Sequence, residues 1–157
     1  MKKLLALILC VMLFVSVIPT MAFAAADPAA VKAAEENVKA AEKAVADAKT
    51  AVAKATGDVT NAQTVLGKVQ YTPAKQALEA AQKAYDTALA GGDAKTIAAA
   101  KKDLDNAQIK FDIMSDAKDE AEANLAAAKA AKADAEKAQK VAEAEKALAD
   151  AELKLAN

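Results

Sequence analysis

Residues 31–69 place an apolar or small residue at alternating intervals of three and four, without interruption. The positions are Val31, Ala34, Val38, Ala41, Val45, Ala48, Val52, Ala55, Val59, Ala62, Leu66 and Val69. This spacing is typical of the a and d positions of a coiled coil, which form the seam between two helices. Charged residues such as Lys32, Glu35 and Lys43 occupy the other faces. The stretch therefore predicts one long helix that needs a partner helix along its length.

Alanine makes up roughly a third of the chain after residue 24, far above ordinary usage. Because an alanine buries little apolar area, a seam of Val and Ala is stabilised by many thin layers rather than by one large core. The composition predicts an all-α fold: a long antiparallel helical coiled coil or bundle with a small helical head and no β-structure.

Residues 1–24 have the layout of a secretory signal peptide. Lys2 and Lys3 precede an unbroken apolar run from Leu4 to Ile18, and Ala22-Phe23-Ala24 offers small residues for cleavage before Ala25. The run is shorter than the roughly 20 residues of a membrane span, so we expect cleavage rather than a permanent anchor. The leader resembles in style those of Gram-positive exported proteins.

Cys10 is the only cysteine, and it lies inside the apolar run after Leu9, where a lipoprotein signal would have a small residue. We therefore expect Cys10 to be removed with the leader, which leaves a mature chain without disulfides.

Cleavage of the leader before Asp27 is the alternative to cleavage before Ala25. Loss of Lys2 and Lys3 lowers the formal net charge from −1 to about −3.

Turn and capping residues divide the mature chain, residues 25–157, into helices of a single domain. Asp, Thr and Pro are favoured at the start of a helix, and Gly at its end. The start signals are Asp27-Pro28, Thr72-Pro73 and Asp93, and the stop signal is Gly91-Gly92. The predicted helices cover about 28–69, 73–90, 94–114 and 116–156. Gly57-Asp58 offers an alternative end and restart within the first of them.

The course of the chain after Met114 has two alternatives. No Gly or Pro occurs after Asp93, so one continuous helix to Asn157 is permitted. A break at Ser115 or Asp116 is favoured by the acidic residues that follow, because acids suit the first turn of a helix. After such a break the last helix would return along the first. Its expected seam, facing 31–52, is Val141, Ala144, Leu148, Ala151 and Leu155.

The large apolar residues concentrate around 65–78 and 109–114. Because 109–114 is apolar on more than one side of a helix, we expect several helices to pack there. Tyr71, Tyr85 and Phe111 are interpreted as part of this core rather than as a ligand platform.

One segment resembles a known module. Tyr71-Thr72-Pro73, Leu78 and Ala81 are followed by a Gly/Asp break and then by Ile97 and Leu104. Over about 71–112 this pattern resembles a degenerate FIVAR module, a small helical repeat of Gram-positive surface proteins. The resemblance implies a cell-surface, adhesive or spacer role and transfers no functional residue.

Residue types that perform chemistry are scarce. The chain has no His, no Trp and no Arg. The sequence predicts no catalytic, cofactor-binding or metal-binding residue, no cofactor and no enzyme activity. A mildly acidic, Arg-free surface also argues against nucleic acid as a partner.

Three functions are compatible with these features. The first is a secreted or envelope-associated structural or interaction module, a spacer or adhesive element. Its expected partner is itself, as an intramolecular hairpin or a homo-oligomer, or another helical envelope protein. The second is the helical N-terminal part of a larger exported protein. The third, a lipid-surface helix, is disfavoured because a Val/Ala stripe lacks bulk, and no stable membrane insertion is expected after cleavage.

Overall fold

The computed structural model describes residues 27–157, so the predictions about the leader and Cys10 lie outside the described residues. These residues form three helices: α1 (Pro28–Lys68), α2 (Tyr71–Gly91) and α3 (Ala94–Ala156). Helix α3 packs against both α1 and α2, and α1 and α2 do not pack against each other. The fold is thus a helical hairpin, with 28–91 as one arm and 94–156 as the other. The predicted all-α antiparallel architecture is confirmed.

The first helix begins as its sequence predicts. Asp27 is the N-cap, and its carboxylate accepts a hydrogen bond of 3.0 Å from the Ala29 N–H. Pro28 occupies the first helical position, where its missing N–H has no cost because that N–H would have no partner. Helix α1 then passes through Gly57 without a break, so the alternative end at Gly57-Asp58 is wrong.

The turn between the arms is formed by Gly92 and Asp93. Gly92 has φ 74°, a left-handed conformation that a residue with a Cβ adopts only with strain, and its N–H donates to the Ala88 carbonyl at 3.2 Å. Asp93 caps α3 by accepting from the Thr96 N–H at 2.9 Å. Two residues therefore reverse the chain, and both predicted signals are confirmed.

The joint between α1 and α2 differs from the predicted one. Helix α1 ends at Lys68, Val69 is extended, and α2 begins at Tyr71, two residues before Pro73. Its N-cap is Gln70, whose side chain makes no capping hydrogen bond, rather than Thr72. Pro73 is tolerated in the first turn because the first four N–H groups of any helix have no intrahelical acceptor. The predicted start at Thr72-Pro73 is therefore wrong.

Helix α3 runs through Ser115 without interruption, so the favoured break there is wrong and the continuous alternative is confirmed. A cluster of acidic residues does not by itself end a helix. This stretch has no Gly or Pro, the residues that interrupt a helix most strongly. The reversal of direction takes place at Gly92 instead. Helix α3 covers both α1 and α2, because those two helices follow one another along it.

The seam of α1 is confirmed, since every predicted position from Val31 to Leu66 is buried or half-buried. Val69 is half-buried too but lies just beyond the end of the helix. The predicted seam of the last helix is wrong. Val141, Leu148 and Leu155 are 55%, 53% and 88% exposed, and the alanines between them are exposed as well. The side of α3 that faces the other arm is a different stripe with the same spacing. It comprises Ile97, Ala100, Leu104, Ala107, Phe111, Met114, Lys118, Ala121, Leu125, Ala128, Lys132, Ala135, Gln139, Ala142, Lys146, Ala149, Leu153 and Ala156.

The core is thin throughout the described residues. Its buried members are small: Ala34, Val45, Ala55, Ala88, Ala121, Ala142 and Ala149. The predicted multi-helix core around 109–114 is wrong, because Ile109 and Ile113 are 58% and 55% exposed. Helix α2 lies beside that part of α3, where Phe111 packs on Tyr71, and the apolar side chains of Ile109 and Ile113 remain largely in water. The predicted head is the α2–α3 turn end of the same hairpin.

Candidate functional site

The charged side chains of the described residues are spread along the helices rather than gathered into a metal-binding cluster. Between Asp27 and Asn157 no three His, Cys, Asp or Glu residues lie close enough to hold a metal ion. All but one of the ion pairs within this range join residues three or four apart on the same helix. Such pairs support an exposed helix face rather than a site. None of α1, α2 and α3 is long and apolar enough to cross a membrane.

We call the stripe of α3 that faces the other arm the inner stripe. Several of its heptad positions of type a, which apolar residues usually occupy, hold polar residues instead. Lys118, Lys132, Gln139 and Lys146 alternate there with alanines. The three lysine side chains are about one-third exposed. A lysine at the edge of a seam lays its aliphatic stem along the apolar surface and keeps its ammonium in water. These positions weaken the hairpin but restrict its alignment, because a polar a residue tolerates few registers.

Lys146 contacts a carboxylate on each arm of the hairpin. Its ammonium lies 2.8 Å from the Asp150 carboxylate and 3.7 Å from that of Glu42 on α1. The hydrogen bond to Asp150, with a smaller contribution from Glu42, raises the pKa of Lys146 above its ordinary value. Within residues 27–157 the Glu42 contact is the one ion pair between α1 and α3. The contact joins partly exposed side chains and adds little stability, but it shows that Glu42 and Lys146 lie at the same level of the two arms.

A second cluster of contacts lies at the joint between α1 and α2. The rings of Tyr71 and Phe111 pack with centroids 5.5 Å apart and planes inclined by 44°. The Lys118 ammonium lies 5.4 Å from the centre of the Tyr71 ring and 2.7 Å from the Glu122 carboxylate. The hydrogen bond to Glu122 raises the pKa of Lys118. Aromatic packing and a cation above the ring stabilise the start of α2, which has no side-chain cap.

A shallow groove lies beside this joint, between α2 and α3. Ala77, Ile113 and Met114 form part of its wall, with Asp103 and Lys110 at its rim. The groove is open to solvent and has no buried polar side chain directed into it. Gln70, Asp103, Asn106 and Lys110 also line the groove, and all four are exposed. An open groove of this kind buries little of a small ligand.

The most distinctive surface is the face of α3 that points away from the hairpin. We call Val141, Ala144, Leu148, Ala151 and Leu155 the outer stripe. All five are exposed, although they have the three-four spacing of a coiled-coil seam. Each of them lies two residues after a residue of the inner stripe. Because each residue turns the helix by about 100°, this places them on the opposite side. Val141, Leu148 and Leu155 are large apolar side chains in water, which makes the outer stripe a candidate interaction surface.

No family model, curated protein or solved structure matches this chain.

Proposed function

We propose that this protein is an exported, non-enzymatic coiled-coil module that acts as a spacer or adhesive element at the cell envelope. The observation that supports it best is the covered seam, which runs the length of both arms as a two-helix rod. At 1.5 Å per residue, the 63 residues of α3 give a rod about 95 Å long. A thin rod with a long surface and a small core is suited to separating or joining other molecules.

The cellular part of the proposal rests on the leader layout of residues 1–24 and on the FIVAR-like resemblance over about 71–112. Export would place the rod outside the membrane, where a chain that needs no disulfide or metal can fold unaided. The acidic, Arg-free mature chain suits interaction with another helical protein better than with nucleic acid.

Export is tested by expressing the full chain with a C-terminal tag in a Gram-positive host. The expected product lies in the medium or envelope fraction and has an intact mass that lacks Met1 to Ala24. The matched control replaces Lys2 and Lys3 by Glu, which removes the positive charge that a signal peptide requires. A wild-type product that stays in the cytosol with its first 24 residues would contradict the proposal.

The spacer part is tested by changing the length of the rod. One heptad inserted into α1 and another at the opposing level of α3 keep the seam in register. By small-angle X-ray scattering, the maximum dimension should then grow by about 10 Å. A heptad inserted into α1 alone shifts Glu42 away from Lys146 and should lower the melting temperature. Equal stability of the two insertions would mean that the register of the arms is not specified.

A further inference from the structure

The outer stripe continues for two heptads and then stops. Towards the N-terminus of α3, the same face has Asp134 and Lys137, both exposed. Charges at seam positions exclude a partner helix from that part, because they would have to lose their hydration. The stripe from Val141 to Leu155 is about 21 Å long at 1.5 Å per residue. Any partner is therefore confined to the C-terminal end of α3.

The charges beside the outer stripe are segregated by side. Lys140 and Lys154 flank it on one side, and Glu145 and Glu152 on the other. Within the described residues, none of these four belongs to an ion pair. Partial burial also raises the pKa of the Glu145 carboxyl, so a cation beside it would relieve an unfavourable position.

This arrangement distinguishes the orientations of a second copy. In a parallel pair of helices, a residue on the lysine flank faces the residue five positions later on the glutamate flank of its partner. Lys140 of one copy would then face Glu145 of the other, twice by symmetry. In an antiparallel pair like flanks meet, so lysines would face lysines and glutamates would face glutamates. The flanking charges favour two copies that run in the same direction.

We propose that the outer stripe is the seam of a parallel homodimer, in which the C-terminal ends of two α3 helices lie side by side in register. Packing against α1 keeps α3 helical before the dimer forms. Dimerisation therefore does not have to offset the conformational entropy that a free segment would lose on becoming helical. The surface lies opposite the seam with α1, so both contacts exist together. Two heptads give a weak dimer, which forms where the protein is concentrated. The inference does not depend on export.

The test is analytical ultracentrifugation of the purified protein from about 5 µM to about 1 mM, a range that brackets weak association. The expected average mass rises from that of one chain towards that of two. Leu148→Gln should raise the dimer dissociation constant by about tenfold or more, since it removes one buried leucine from each copy. The control is Leu89→Gln, because Leu89 is similarly exposed, at 48%, but lies on α2. It should leave the dissociation constant unchanged.

Charge reversal tests the orientation. Lys140→Glu places a carboxylate opposite Glu145 of the other copy and should weaken a parallel dimer, and the double variant Lys140→Glu with Glu145→Lys should restore it. A stronger dimer in Lys140→Glu would show antiparallel pairing and overturn the proposal. A mass that stays at one chain at about 1 mM, or equal effects of Leu148→Gln and Leu89→Gln, would also overturn it.

A lipid surface is the competing occupant. Flotation with anionic phosphatidylglycerol vesicles is expected to leave the protein at the bottom of the gradient. Binding that Leu148→Gln abolishes, in a protein that remains a single chain in solution, would assign the outer stripe to membranes and overturn the dimer. Circular dichroism melts should show that Leu148→Gln folds normally, because Leu148 lies off the seam with α1.

Discussion

Ala121 and Ala123 provide a sharp test of which face of α3 packs against the other arm. Ala121 is the most buried of the core residues, at 3% exposed, whereas Ala123 is exposed. They are two positions apart on one helix, so their sides differ by about 200°. The test replaces each in turn by Asp. The same chemical change is thereby made on the inside and on the outside of the hairpin.

The expected costs can be worked out from these positions. Asp in place of Ala costs about 0.7 kcal/mol in helix propensity at either position. At Ala121 the carboxylate must also lose its hydration, which costs several kcal/mol for a buried ion. The seam is narrow and the Lys118 ammonium is one turn away, so part of that cost is relieved. We expect Ala121→Asp to lower the free energy of unfolding by about 2–4 kcal/mol and Ala123→Asp by about 0.7 kcal/mol.

The measurement is urea unfolding at pH 7, followed by circular dichroism at 222 nm, with the slope compared between variants. At pH 3 the gap between the variants should narrow, because the introduced carboxyl group in Ala121→Asp, once protonated, no longer needs to be hydrated as an ion. If Ala123→Asp costs more than Ala121→Asp, the outer stripe would be the true seam of α3. Equal costs would mean that neither face is packed at this level.

Three further predictions test the remaining parts of the fold. Val45 is 9% exposed, so Val45→Asp should lower the melting temperature far more than Lys43→Ala, whose cost in unfolding free energy should be under about 0.5 kcal/mol. Equal shifts of the two variants in circular dichroism melts would mean that 31–69 is not a seam. Lys132→Leu should stabilise the hairpin by about 1 kcal/mol in urea unfolding, because it adds apolar area to the inner stripe, and a loss would place residue 132 in water. The hydrogen bonds from the Thr96 hydroxyl and N–H lower the pKa of Asp93, so this cap contributes stability above its ordinary pKa of 3.8 and loses it as the pH falls through the lower folded value. Asp93→Asn should therefore flatten the loss of stability between about pH 5 and pH 2, and parallel curves for the two proteins would contradict the capping role.

The parts of the fold that follow from local rules could be predicted from the sequence. The seam of α1, the Asp27 and Asp93 caps and the Gly92 turn each depend on residues that are near in the chain. The start of α2 was missed because its position is decided by a distant contact. Packing of Tyr71 on Phe111 stabilises an earlier start than the Thr72-Pro73 pair would give on its own.

The register of residues 120–156 of α3 was missed for a different reason. Ranking residues 120–156 by hydrophobicity selects Val141 and Leu148, which belong to the exposed face. Heptads counted forward from Ile97, however, arrive at Leu125 and Leu153 without a slip. The signal was therefore present, but alanine and the aliphatic stems of lysine form most of that stripe, and hydrophobicity scales do not count a lysine stem as apolar.

The two faces of α3 are coupled through the folding of the hairpin: a dimer needs the folded hairpin, and dimerisation in turn stabilises that fold at high protein concentration. A segment as short as 141–155 is at most marginally helical in water, so the outer stripe exists as a surface only while α1 holds α3 in place. A change inside the hairpin, such as Val45→Asp, should therefore abolish self-association together with the fold. Leu148→Gln should abolish self-association alone, because its side chain contributes nothing to the contact between the arms. If loss of the dimer also lowered the melting temperature of the dilute monomer, the outer stripe would have to belong to the hairpin itself.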